Sequence, residues 1–473
     1  MKKLSKSAIF AMTISITAIA VLFFCFPCHR YFVDGLMYSI TIQDDPTRWI
    51  IHPHHPLFPF LPQVLYVLMG TTSSGFSELE LLLSWSIFAG VISAWGVMVV
   101  LRAGRLTPAS AITGALFFSF TRATWYFSVT PNQNSTALAS QILALLAIVF
   151  VFGRKSGENS RSKLVIAGIL SGLAILFSKI NAIVLIPVVY LLLTQRKESG
   201  VRIKQTFQYL SVSIITALGI YIVLGFVFGG YRSPMDFLSS HHSYVYEGRW
   251  WISGFMDAIQ RNFEGLVSVQ IAGAFDSYGL FGNWAEGFGS SVWFIKLGIR
   301  IVQIFILAFL LIEIICAVGY LVKSEKKHLV QITGLAVLLP VVLFSLVWAP
   351  ESSNYRILYY PGLIMFLMPS IESRYWPEGV RLRRAWPVFL FIILLFGNNF
   401  AFQFYPQSDP LRNPYNYEAY RLMAFAREGD LIIYSGTDEG HMRSLYATYF
   451  LDCDTILAHD LVKKLREDPE EVT

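Results

Sequence analysis

A group of acidic and histidine residues lies between the first and second long apolar runs of the sequence. It comprises Asp34, which follows the first run closely, then Asp44 and Asp45, and finally His52, His54 and His55. A carboxylate held near the end of a span can take a proton from a substrate hydroxyl group, so Asp34 is the candidate general base. The alternative is an ordinary solvated aspartate in a loop.

The same segment also contains the donor groups that divalent cations prefer. Carboxylate oxygens, such as those of Asp44 and Asp45, and histidine nitrogens are common metal ligands. Their spacing matches no recognised ligand set, and Pro53 and Pro56 stiffen the segment. We therefore predict that the three histidines contact substrate, with a divalent metal at Asp44 and Asp45 as the alternative and no other cofactor.

The composition of the chain is that of a membrane protein. Of its 473 residues, 55% are hydrophobic and only 14% are charged, which leaves too little polar surface for a soluble globule. The net charge of +6 does not indicate nucleic-acid binding, because the basic residues lie in short clusters between apolar runs. About eleven spans are predicted, at 8–27, 80–101, 108–127, 135–152, 164–177, 182–194, 207–228, 301–322, 329–347, 357–371 and 387–402.

The basic residues predict which side of the membrane each loop occupies. Every alternate loop carries lysine or arginine, beginning with Arg102 and Arg105 and ending with Arg381, Arg383 and Arg384. Such loops stay in the cytoplasm, so we predict a plasma (inner) membrane protein with a cytoplasmic N-terminus. The first loop (28–79), the long loop (229–300) and the C-terminus are then extracytoplasmic.

Two segments complete the predicted architecture. The run 55–70 is too short for a span and carries three prolines, so it is predicted to be an interfacial helix on the outer face. Residues 404–473 have the composition of soluble protein and are predicted to form a small α/β domain. The fold class is therefore an all-α polytopic membrane domain (1–403) with this C-terminal appendage.

The order of these features resembles the GT-C superfamily of glycosyltransferases, which use polyprenyl-phosphate sugars. Those features are a first span, Asp34-Gly35 in the first outer loop, a His-Pro-rich stretch before an interfacial helix, and a second span. The nearest branch is the one related to protein O-mannosyltransferases, and the similarity continues through 105–107 and 123–128. That branch often has an acid shortly after the tryptophan, where this chain has Asn132.

The resemblance also implies roles for basic residues at the outer ends of helices. Lys179 lies between two predicted spans, and Arg356 follows Tyr355 just before another. In such enzymes residues at these places hold the lipid phosphate of the donor, which needs fixed positive charge as it leaves. The alternative is anchoring of lipid headgroups by long side chains. Tyr355 and Asn132 are further candidates for substrate contact.

The implied function is transfer of a sugar, such as mannose, another hexose or a pentose, from polyprenyl phosphate to a hydroxyl group outside the cytoplasm. The partners would be membrane lipids and a protein, lipid or glycan acceptor, and direct displacement would invert the anomeric centre. A transporter or lipid flippase is one alternative, suggested by Glu313 inside a span; against it, no basic partner for Glu313 and no inverted repeat are evident in the sequence. A non-catalytic scaffold is another, suggested by Asn132.

Overall fold

The fold was analysed in a computed structural model. It describes residues 5–31, 33–69, 77–153, 160–195, 199–233, 235–236, 254–283, 292–324, 328–345, 356–376, 384–423, 425–426, 430–434, 438–451, 454–458 and 460.

Helices make up nearly all of the described part of the membrane domain. They are α1 (Lys6–Cys25), α2 (Val33–Asp44), α3 (Leu57–Met69), α4 (Glu78–Ala103), α5 (Pro108–Phe120), α6 (Arg122–Ser128), α7 (Gln133–Phe152), α8 (Ser160–Phe177), α9 (Leu185–Gln195), α10 (Ser199–Val227), α11 (Phe255–Ser268), α12 (Trp293–Lys323), α13 (Leu329–Ser345), α14 (Tyr360–Tyr375) and α15 (Trp386–Asn399). Short 3₁₀ turns, Lys179–Val184 and Ile357–Tyr359, precede α9 and α14, and a π-helical turn, Phe400–Phe404, extends α15.

The predicted all-α membrane fold is confirmed, since the predicted spans fall on helical residues, although the span at 108–127 is divided at Thr121 into α5 and α6. Within the described residues, six helical segments are long and apolar enough to cross a bilayer: α1, α4, α7, α10, α12 and Trp386–Gln407. The remaining spans correspond to shorter helices. These pack closely where glycines face each other: a Cβ on Gly334 of α13 would lie 2.6 Å from the carbonyl oxygen of Gly362 in α14.

Helix α2 differs from the solvated loop that the sequence suggested as the alternative for Asp34. Leu36, Ser39 and Ile42 are buried along one of its faces. Gly35 lets the helix approach the turn before α7, because a Cβ there would lie 2.1 Å from the carbonyl oxygen of Pro131. The helix therefore holds Asp34 at a fixed position beside the start of α7.

Two further helices are amphipathic. The predicted interfacial helix is present as α3, with Phe58 buried and Leu68 exposed. Helix α11, which the sequence analysis did not predict, buries Asn262 but exposes Met256 and Phe263. Exposed apolar side chains on one face of such a helix are suited to the boundary between lipid and water.

Glu313 has a basic partner, contrary to the expectation from the sequence. Its carboxylate, 1% exposed, pairs with the guanidinium group of Arg374 at the end of α14. Tyr375 donates a second hydrogen bond to the same carboxylate over 3.1 Å. The acid therefore has a structural explanation as the pair that joins α12 to α14, which removes the main argument for a transporter.

The C-terminal segment forms a small β-α-β unit that packs against Tyr31 and α2. Its elements are α16 (Pro414–Leu422), β1 (Leu431–Tyr434), α17 (Asp438–Leu451) and β2 (Asp454–Leu457), and the two strands pair in parallel. The hydroxyl group of Tyr446 accepts a hydrogen bond from the backbone N–H of Tyr31 over 2.8 Å. The ring of Tyr446 also stacks on that of Tyr31. These helices and strands confirm the α/β character predicted for this segment.

Candidate functional site

Asp34 lies in the first turn of α2 and faces the start of α7. Its Oδ2 accepts a hydrogen bond from Nε2 of Gln133 over 2.9 Å. Burial raises the pKa of Asp34, and the hydrogen bond from Gln133, which favours the ionised form, opposes that shift. A raised pKa strengthens the carboxylate as a proton acceptor, so the geometry suits a general base.

Asn132 caps the N-terminus of α7 and is fully buried. Its Oδ1 accepts from the backbone N–H of Asn134 over 2.7 Å. Its Nδ2 donates to the carbonyl oxygens of Phe127 and Thr130 over 3.1 and 2.8 Å. The amide thus holds the turn that presents Gln133 to Asp34, and substrate contact by Asn132 remains a prediction.

We expect Asn132→Asp to destabilise the protein by about 3 kcal/mol or more, because the carboxylate oxygen that replaces Nδ2 would be buried against two carbonyl oxygens. The measurement is the midpoint of thermal unfolding in detergent. Gln43→Glu, the same change at an exposed position of α2, is the control and should leave the midpoint unchanged. An Asn132→Asp variant with wild-type stability would contradict the capping role.

The histidines form an aromatic cluster with Tyr38, one helical turn beyond Asp34, in which His55 is buried and His52 and His54 are partly exposed. Tyr38 of α2 forms a 2.7 Å hydrogen bond with Nε2 of His55. The rings of His55 and His52 stack with their centroids 3.8 Å apart. Burial, together with neighbouring His54 and Lys179, lowers the pKa of His52 to about 3 and that of His55 well below its usual value. Both rings are therefore neutral at physiological pH.

Lys179 joins this cluster from the turn that precedes α9. Its backbone N–H donates to the carbonyl oxygen of His54 over 3.1 Å. Burial lowers the pKa of the Lys179 ammonium group to about 8. Asn181, two residues on, anchors the turn by donating to the carbonyl oxygen of Ala137 in α7 over 2.8 Å. The structure thus brings Lys179 to the same side of α2 as the histidines.

Arg356 lies in another part of the fold, directly before α14. It is fully buried, and its Nη2 donates to Oδ1 of Asn262 in α11 over 2.5 Å. Tyr355, the neighbouring candidate, lies outside the described residues. Arg356 is therefore held by the amphipathic helix α11, whereas Lys179 is held by the histidine segment.

Asp44 and Asp45 are both exposed at the end of α2. The Asp45 carboxylate accepts hydrogen bonds from the hydroxyl and backbone N–H groups of Thr47 over 2.7 and 2.9 Å, which lower its pKa. Across the described ranges, no group of three or more histidine, cysteine, aspartate or glutamate residues is arranged to hold a metal ion. Asp45 instead stabilises the turn that follows α2.

A cavity of about 360 Å³ opens beside the start of α2, and the sequence analysis did not anticipate it. Val33, adjacent to Asp34, lines it together with Arg30 and Arg122, while Tyr415 and Met442 contribute from the C-terminal segment. In the sequence, the cavity was indicated only by Arg30, which lies shortly before Asp34, and by Arg122, which lies in the second half of the predicted span 108–127. The cavity itself depends on contacts between distant segments.

Known proteins resemble this chain in part of its sequence and in its overall fold. Residues 52–226 match the family described as dolichyl-phosphate-mannose-protein mannosyltransferase. This region includes the histidine cluster, Asn132 and Lys179, but neither Asp34 nor Arg356. A comparison with curated proteins gave no significant match.

Several solved structures are similar over nearly the whole chain. Apo ArnT from Cupriavidus metallidurans has a TM-score of 0.58 and 12% identity, covering 99% of this chain and 90% of ArnT. ArnT bound to undecaprenyl phosphate gives 0.56 and 11%, covering 98% and 88%. The Archaeoglobus fulgidus oligosaccharyltransferase, in complex with zinc and sulfate, gives 0.52 and 13%, covering 94% of this chain but only 62% of that enzyme.

The fold is therefore that of ArnT and the archaeal oligosaccharyltransferase. The match of residues 52–226 to the mannosyltransferase family agrees with the resemblance predicted from the sequence.

Proposed function

We propose that this protein is a membrane glycosyltransferase that moves a sugar from a polyprenyl-phosphate donor to a hydroxyl group of an acceptor. The observation that carries the proposal is Asp34, a partly buried carboxylate that Gln133 orients within a GT-C fold. Lipid-linked donors suit a site outside the cytoplasm, where nucleotide sugars are not supplied. The sugar is mannose, another hexose or a pentose.

In the proposed reaction, Asp34 takes the proton of the acceptor hydroxyl group as its oxygen attacks the anomeric carbon. The bond between that carbon and the phosphate oxygen breaks, and polyprenyl phosphate leaves with the electron pair. Attack from the opposite side inverts the anomeric configuration. Positive charge near the phosphate stabilises the charge that develops on it.

Lys179 and Arg356 are the proposed sources of that positive charge. Lys179 is the better supported of the two. Its backbone N–H donates to the carbonyl oxygen of His54, and Tyr38, one turn beyond Asp34, connects the histidine cluster to α2. Arg356 would take part if the donor also reaches α11, where Asn262 holds its guanidinium group. His52, His54 and His55 would contact the donor as neutral groups.

The ArnT structure that contains undecaprenyl phosphate supports a polyprenyl phosphate as the lipid partner here. The proposed acceptor is a protein, lipid or glycan, and the proposed location is the plasma or inner membrane, with Asp34 and the C-terminus on the outer side. The alternation of basic loops supports that orientation.

The test is an assay of the purified chain in liposomes with radiolabelled polyprenyl-phosphate mannose and a mixture of hydroxyl-bearing acceptors. We expect the label to appear in an acceptor. Movement of intact donor across the bilayer without transfer would instead indicate a flippase. If the donor is neither transferred nor moved, the protein is a non-catalytic scaffold. Adding a chelator to the same assay tests the metal alternative, which requires that activity be lost.

A further inference from the structure

Two arginines converge on the cavity beside α2 from different parts of the chain. Arg30 precedes α2, and Arg122 begins α6. Both also line an adjoining space of about 220 Å³ that includes Asp276. The C-terminal residues Tyr415 and Met442 line the first space, so protein rather than lipid covers this side of the cavity.

Arg122 is anchored with one edge of its guanidinium group. Its Nε donates to Oε1 of Gln403 over 3.0 Å, and its Nη1 donates to the carbonyl oxygen of Ser268 over 2.9 Å. Its Nη2 forms no hydrogen bond with any residue that the structure describes. The anchored edge fixes the side chain, which leaves a donor for a ligand.

Arg30 is exposed, and its guanidinium group forms no hydrogen bond or ion pair within the described ranges. Asp276 interacts electrostatically with Arg122, but its carboxylate accepts a hydrogen bond from Tyr278 over 2.5 Å. Two guanidinium groups and one carboxylate leave a positive balance around this space. Planar guanidinium groups with free donors favour carboxylate and phosphate groups.

We infer that this cavity binds an oxyanion group, phosphate or carboxylate, carried by the acceptor. The inference rests on the proposed function for the role of the acceptor. Its positional support is the lining of the cavity, which includes Val33 beside Asp34 but, among the described residues, neither Lys179 nor Arg356. The base therefore borders an anion site that is separate from the residues proposed to hold the donor phosphate.

Residue-resolved labelling tests the anion site. The full chain, in phosphatidylcholine nanodiscs, is treated with phenylglyoxal, and modification of each arginine is followed by mass spectrometry with increasing inorganic phosphate. At ten times the Kd of phosphate, labelling of Arg30 should slow about tenfold, since only unoccupied protein reacts. Arg122 should be protected over the same concentration range, while exposed Arg48 and Arg232 serve as controls and should not change.

Equal labelling of Arg30 with and without phosphate would overturn the inference, as would equal slowing at Arg232. The same measurement in phosphatidylglycerol nanodiscs without phosphate separates the source of the anion. If those nanodiscs alone protect Arg30 as fully as phosphate does, the site takes a lipid headgroup and the acceptor role is wrong.

A second arm uses two acceptors that differ only by a phosphate group. Arg30→Gln should raise the KM of the phosphorylated acceptor about tenfold and leave the neutral one unchanged, because a charge-assisted hydrogen bond is lost. Arg30→Lys should restore part of the effect, and Arg48→Gln should have none. The Arg30 side chain has no partner among the described residues, so these changes should not disturb folding.

The two proposals fail in different ways. Transfer that is equally efficient with both acceptors and insensitive to Arg30→Gln would support the glycosyltransferase and overturn the acceptor site. Phosphate protection of Arg30 without transfer to any acceptor would support the anion site and overturn both the proposed function and the acceptor role.

Discussion

Asp34→Asn is expected to lower the rate of sugar transfer by about 10²- to 10⁴-fold, the usual contribution of a positioned general base. The asparagine side chain has the same size and can still accept the hydrogen bond from Gln133 through its oxygen, so α2 should keep its position. What it loses is the ability to take a proton. The measurement is kcat with radiolabelled polyprenyl-phosphate sugar.

Asp45→Asn is the matched control, since it removes an exposed carboxylate directly after α2, the helix that carries Asp34. Its kcat should equal that of the wild type, and both variants should insert and purify normally. The KM for the donor should change little in Asp34→Asn. An Asp34→Asn variant that transfers sugar at the wild-type rate would rule out Asp34 as the base.

Arg374→Met is expected to destabilise the protein by about 3–5 kcal/mol, because it leaves the Glu313 carboxylate buried without its charged partner. Glu313→Gln should destabilise the protein less than Arg374→Met does. The Arg374 side chain is 32% exposed near the end of its helix, so its charge can reach water or lipid headgroups once the partner is gone. Thermal unfolding in detergent measures both effects.

The double variant Glu313→Gln/Arg374→Met completes the cycle and should recover most of the stability lost in Arg374→Met. Glu313→Gln should retain sugar transfer, because the acid joins α12 to α14 and takes no part in the proposed chemistry. Equal destabilisation by the two single changes, or loss of transfer in Glu313→Gln at normal stability, would contradict this account.

The membrane spans could be predicted because transfer into lipid depends on the local sequence. Helices α2 and α11 were not predicted, since their stability depends on surfaces that other segments supply: Gly35 meets the turn at Pro131, and Asn262 meets Arg356. The partner of Glu313 was missed for the same reason, because Arg374 lies on a different helix, 61 residues away.

The candidate site was predictable in part. Asp34 stood out by its place after the first span and Lys179 by its place between two predicted spans, but the contact between Lys179 and the histidine segment was not predicted. The capping role of Asn132 had a local signal, because an asparagine directly before a long apolar run is a common helix cap. The sequence analysis instead considered Asn132 as the replacement of an acid in the related enzymes. No local signal in the sequence indicated that Arg30 and Arg122 line the same cavity, because that cavity forms only where several separate segments meet.

The bond between Tyr446 and Tyr31 has a consequence for biosynthesis. The two residues are 415 positions apart, and the contact lies three residues before Asp34. During synthesis, the segment that carries the aspartate therefore leaves the ribosome long before the C-terminal segment that supports it. A chain that ended before α17 would contain the described membrane helices but would lack this contact beside Asp34, so the surroundings of Asp34 are completed only after those helices have been made.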